Sequence, residues 1–254
     1  MYIITRLIPA FLGCAVAAGI EYAVYVPKRF IDLMSLTLVV VLIASIYLLR
    51  KSQPIERLTL LAPPAIFFLG ASFALFFLSP AWLQHVVAAV AAVSTWVYFE
   101  EVYRYVYESE KYHQHAIERM SSFLGITAMA FNMIGVFALR IFLDVRLVYL
   151  LPLSLVIAML VSTSVLAVQS LSRTSLWSSV IVFAVLMMEM TWAVHFLPTS
   201  YLVDSLIVTI PFYVALNLVR HELNGTLNPL LIRRFALSGV IALTLVLISA
   251  QWVI

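Results

Sequence analysis

Glu189 lies in Met187-Met188-Glu189-Met190, deep inside a long apolar stretch. A carboxylate at that depth in hydrocarbon is costly, so its expected place is a bundle interior or a wet cavity. There it could hold a proton, bind a cation or grip part of a solute. The plainer alternative is a protonated acid hydrogen-bonded to a neighbouring helix, with Asn132 or Asn217 as the partner amide. His195 closes the same stretch. Glu189, His195, Asn132 and Asn217 are therefore the candidate binding residues. The methionines around Glu189 read as packing rather than as a copper site, because Met fills irregular gaps in cores.

A second polar group comprises Glu21, Asp32, His85, Arg140, Asp144, His195 and Asp204. All seven fall near the ends of apolar runs, on what proves below to be one side. Arg140 and Asp144 have the i, i+4 spacing that lets a helix pair them. Glu21 lies within reach of Lys28 or Arg29. The group forms either a polar vestibule or a set of interfacial residues whose side chains reach to water.

The third concentration runs from Glu100 to Arg119. Glu100, Glu101 and Arg104 are weak catalytic candidates, as two carboxylates beside a guanidinium. His115 and Glu118 are i, i+3 with His113 close by, a weak metal-ligand set, since zinc takes three or four such groups in fixed geometry. There is no HExxH and no CxxC, and Cys14 is the single cysteine, so neither a metal nor a cofactor is expected. Glu100-Glu101 followed by Arg104 resembles the first motif of the CAAX-protease and bacteriocin-processing intramembrane proteases. That family uses EExxxR, then FxxxH, then HxxxN or HxxxD. The resemblance implies membrane proteolysis at Glu100, Glu101 and Arg104, and it departs at every motif. The spacing here is EExxR. Thr191 stands where FxxxH has Phe before His195, and Gly225 follows His221 where Asn or Asp is required.

The elements that carry these residues follow from composition. The chain has 254 residues, of which 64% are hydrophobic and only 11% charged. Its mean hydropathy is +1.08. Soluble domains are nearer half apolar and a quarter charged. Nine apolar runs stand out: Ile3 to Tyr25, Phe30 to Leu49, Leu58 to Leu78, Ala81 to Val106, Ser121 to Leu143, Val145 to Leu171, Ser175 to Phe196, Ser200 to Leu218, and Phe235 to Val253. Each is close to the roughly 20 residues a helix needs to cross the hydrocarbon. The runs are too long and too uniform for strands, and open sheets leave backbone groups unsatisfied in lipid. The expected fold is an all-α polytopic transmembrane bundle of about nine spans. It forms a single integral membrane domain over residues 1–254. Phe11-Leu12-Gly13-Cys14 is a poor lipoprotein signal, and the first run is taken as a retained span.

Lys and Arg divide unequally between the two sides. Arg6, Arg50, Lys51, Arg57, Arg104, Lys111, Arg119, Arg173, Arg220, Arg233 and Arg234 share one side; Lys28, Arg29, Arg140 and Arg146 share the other. The positive-inside rule then puts the N-terminus in the cytoplasm and the C-terminus outside, in the cell membrane. The net charge of +3 is thus an orientation signal, and no nucleic-acid partner is expected. Trp96, Tyr98, Tyr103 and Tyr105 are expected to form an inner aromatic belt, and Tyr22, Tyr25, Trp82, Tyr201 and Trp252 an outer one.

A tandem repeat is also expected. Arg6, Arg119 and Arg234 each precede a glycine-bearing segment, Gly13, Gly125 and Gly239. Phe77-Leu78-Ser79-Pro80 parallels Phe196-Leu197-Pro198-Thr199. The units would be 1–112 and 113–229, with an extra helix at 230–254. Three functions remain open. One is a carrier or permease with a small-solute or lipid path between helices, as repeated carriers have. Another is a non-catalytic membrane subunit or scaffold, partnered by other subunits or by itself. The third is an intramembrane enzyme using Glu100, Glu101 and Arg104. In all three the lipid bilayer is the main surrounding partner.

Overall fold

The computed structural model describes residues 2–169, 173–223 and 225–250. Leu171, Asn224, Trp252 and Val253 lie outside the described residues. Among the described residues nine α-helices follow one another: α1 (Tyr2–Tyr25), α2 (Phe30–Leu48), α3 (Pro54–Phe77), α4 (Ala81–Tyr107), α5 (Ala116–Leu143), α6 (Leu147–Ala167), α7 (Arg173–Val194), α8 (Tyr201–Leu223) and α9 (Pro229–Ser249). The described residues contain no strand. All nine helices are long and apolar enough to cross a membrane, and they match the nine runs in order.

Local chemistry sets the boundaries. Pro54 opens α3 behind a capping box between Gln53 and Glu56; proline suits the first helical position because its missing N–H has no helical partner there. Asn228 caps α9 by accepting from the Leu231 N–H at 2.8 Å, with Pro229 next. At the far end of α5, Asp144 takes a left-handed φ of 49°, so the helix stops at Leu143. That break removes the i, i+4 geometry expected for Arg140 and Asp144.

The chain forms two compact units, residues 1–125 and 126–254, divided within α5. In the first, α1 and α4 are antiparallel and share one register along their length. Arg6 pairs with Glu100 at 2.6 Å, Gly13 lies against Trp96, and Glu21 meets His85 at 2.9 Å. The missing side chain matters at the centre: a Cβ on Gly13 would sit 2.8 Å from that of Trp96. Gly19 lies as tightly against Thr37 of α2, where a Cβ would overlap the threonine side chain. Small residues permit this close approach between membrane helices.

Pro63 and Pro64 interrupt the hydrogen bonding of α3. A proline at 64 cannot donate to the carbonyl four residues earlier, that of Leu60. Tyr98 of α4 repairs the gap, its hydroxyl donating to the Leu60 oxygen at 2.8 Å. Tyr98 is fully buried, as is Tyr103, so both rings pack against protein. Trp96 and Tyr105 remain exposed. The end of α2 is served similarly: Arg57 donates to the carbonyls of Arg50 at 2.6 Å and Ser52 at 2.7 Å, and Tyr107 to that of Leu48 at 3.0 Å.

In the second unit α6 and α7 pack side by side. Phe183 of α7 meets Phe212 of α8 edge to face, centroids 5.5 Å apart. Gly239 lets α9 approach Val214 of α8, and most of α9 is otherwise exposed.

Tyr98→Phe leaves the Leu60 carbonyl buried and unpaired, an expected cost of about 1–3 kcal/mol. Adding Pro64→Ala restores the missing N–H and recovers most of that loss. Denaturant titration of the purified protein in micelles measures both changes.

Candidate functional site

At the Arg6 end of unit one, three helical positions converge with a fourth that sequence spacing did not reveal. Arg104 reaches Glu101 at 2.8 Å and Glu100 at 3.4 Å within α4. Arg6 arrives from α1, pairs with Glu100 and lies over the Tyr103 ring, 5.0 Å from its centroid. Tyr103 stacks on Tyr107, and Lys51 covers the far ring at 4.6 Å. The structure therefore brings Glu100, Glu101 and Arg104 together as an ion-pair network. Its carboxylates face guanidinium groups, and among the described residues no histidine bonds to either. His115 pairs with Glu118 at 2.6 Å, while His113 stays exposed. No group of three His, Cys, Asp or Glu among the described residues could hold a metal.

At the opposite end of the same unit, Glu21 takes His85 of α4 as its partner, rather than Lys28 or Arg29. The groove between α1 and α2, about 550 Å³, is lined by Leu7, Phe11, Val40, Ile43 and Tyr47. Such a surface suits an acyl chain.

Unit two holds a buried polar cluster. Asp204, in the first turn of α8, is 0% exposed. One of its oxygens accepts from the Thr199 hydroxyl. The other lies 3.8 Å from Nη1 of Arg140 on α5. Neither of those two atoms has a hydrogen-bond partner, and Nδ1 of His195 lacks one as well. Sequence reasoning placed His195, Arg140 and Asp204 in one region but paired Arg140 with Asp144. The signal for the true pairing was Thr199-Ser200 preceding Asp204: a short turn that seals the carboxylate beneath it.

The remaining binding candidates do not converge. Asn132 donates to the Ala128 carbonyl at 2.8 Å, and Asn217 to that of Tyr213 at 2.8 Å. Both amides thus serve the preceding turn of their own helix. Glu189 is exposed on α7.

Nine membrane-length apolar helices, with charge concentrated at their ends, define a multi-pass integral membrane protein. Residues 15–249 match a family model described as "Protein of unknown function (DUF5656)", and the chain belongs to that family. The match extends from within α1 to the end of α9. No curated protein and no solved structure matches the chain.

Arg140→Met strands the fully buried Asp204 without a counter-charge, an expected loss of about 3–5 kcal/mol. Asp204→Asn in the same background keeps the Thr199 contact, removes the charge and recovers most of the stability. Thermal unfolding in micelles checks both.

Proposed function

We propose that the protein is a non-catalytic membrane subunit or scaffold, working through assembly within the cell membrane. The N-terminus would lie in the cytoplasm, where the positive-inside rule puts it. The supporting observation is Glu189. It is exposed within the α7 span, where a charged side chain is costly. Snorkelling offers little relief. The Cα–Cβ bond of a helical residue tilts toward the helix N-terminus, which for Glu189 points away from the nearer span end at Val194. Neither candidate amide meets it, since Asn132 and Asn217 bond their own helices. A polar group from another polypeptide would satisfy it without water.

A carrier or permease is the second reading. It rests on the Arg140–Asp204–His195 cluster, whose unmet hydrogen-bonding atoms would suit a small polar solute or water. The tandem units 1–112 and 113–229, with the helix at 230–254, belong to that reading. The ion-paired Glu100–Glu101–Arg104 network gives an enzyme no comparable support.

Native mass spectrometry from lipid nanodiscs separates the first two. Assembly predicts a species heavier than the 28.5 kDa chain that reverts to the single chain in Glu189→Leu. A lone monomer for the unaltered protein overturns the assembly reading.

A further inference from the structure

Helices α1 and α2 pack against each other and leave the groove of about 550 Å³ between them. Leu7 and Phe11 line it from α1, and Val40, Ile43 and Tyr47 from α2. Ala44 lines it as well, and its single methyl leaves the hollow open. The α2 span runs from Pro27 to Lys51, so Val40 is near its middle and Tyr47 near its end. The rise from Val40 to Tyr47 is about 10 Å. The hydrocarbon of one leaflet is about 15 Å deep, half of the full core. The groove therefore suits a single acyl chain that enters from the Arg50 end and stops near the midplane.

A cation stands at that end. The guanidinium carbon of Arg50 lies 4.7 Å from the centroid of the Tyr47 ring, and Tyr47 lines the groove. The Arg50 backbone is fixed as well, its carbonyl accepting from Arg57 at 2.6 Å. A guanidinium held over a ring keeps N–H donors whose fork fits a phosphate. Among the described residues no carboxylate takes them. Glu100 and Glu101 are held by Arg6 and Arg104, and Glu108 by Lys111. Lys51, next in sequence, likewise faces a ring, that of Tyr107. The hollow at the other end of the same two helices, about 680 Å³, instead has the carboxylate of Glu21 in its lining, which repels a phosphate.

We propose that the groove seats one acyl chain of an anionic phospholipid, with the lipid phosphate on the Arg50 guanidinium and Lys51 adding positive charge. Any apolar membrane surface meets acyl chains; the cation at the mouth is what selects a headgroup. On the orientation proposed above, the site opens to the cytoplasmic leaflet, where anionic lipids gather and basic pockets between helices bind them. The assembly reading concerns Glu189 of α7, so either can fail without the other.

Native mass spectrometry from micelles tests this, with phosphatidylglycerol and phosphatidylcholine of the same acyl chains as probes. The unaltered protein should retain phosphatidylglycerol in preference. Arg50→Gln should weaken phosphatidylglycerol binding about tenfold, the scale of one lost charge-assisted hydrogen bond, and leave phosphatidylcholine unchanged. Arg29→Gln, at the other end of α2, should change neither. Ala44→Phe, which fills the hollow, should also release phosphatidylglycerol. A phosphatidylglycerol with a photoreactive group on its acyl chain should label residues 7–11 and 40–47. Equal binding of the two lipids, a preference untouched by Arg50→Gln, or labelling confined to other segments overturns the proposal. Displacement of the lipid by glycerol phosphate at comparable concentration also overturns it, since that marks a bare anion site. Should Ala44→Phe fail to fold, Arg50→Gln and the labelling of the unaltered protein decide the matter.

Discussion

In a bilayer every backbone N–H and C=O must find its partner inside the protein, because hydrocarbon offers none. That constraint makes all nine elements helical and dictates what their polar side chains do. Where Pro64 deprives the Leu60 carbonyl of its donor, a tyrosine hydroxyl from α4 takes over. This burial of Tyr98 then ties α3 to α4. Where no proline intervenes, side chains turn back on their own helix. Thr191 donates to Met187, Thr209 to Ser205, and Asn132 and Asn217 to the turns before them. These groups are polar by type, yet each is met locally and projects no chemistry of its own.

Charge obeys the same constraint. It collects where helices emerge, and there it fastens neighbours. Arg6 with Glu100 at one end, and Glu21 with His85 at the other, hold α1 and α4 in one register. Gly13 then lets those two backbones close the distance between the ends, and Gly19 brings α1 against Thr37 of α2. Asp204 departs from this arrangement by lying fully buried, sealed by Thr199 and faced by Arg140. Glu189 departs further, being exposed within a span.

The nine spans, their order and their all-helical character were legible in the sequence, because length and apolarity decide them without tertiary contacts. So was the Glu100–Glu101–Arg104 network, since i, i+3 and i, i+4 neighbours meet on any helix. Arg6 was not legible as its fourth member, because antiparallel pairing between helices remote in sequence leaves no local trace. The Arg140–Asp144 pair looked sound by spacing and failed because α5 ends between the two residues. The burial of Tyr98 and Tyr103 was not legible either, because only packing between helices decides which rings are covered.

The sequence by itself therefore determined the solvent, the element type and the ends at which charge gathers, all of which follow from each residue's own transfer energy. Tertiary structure decided which side chains meet and which stay bare. It gave Leu60 its tyrosine and Asp204 its arginine. It also left Glu189 on an open face. Which side of a helix is covered depends on the crossing of its neighbours, and no period within one apolar helix states that.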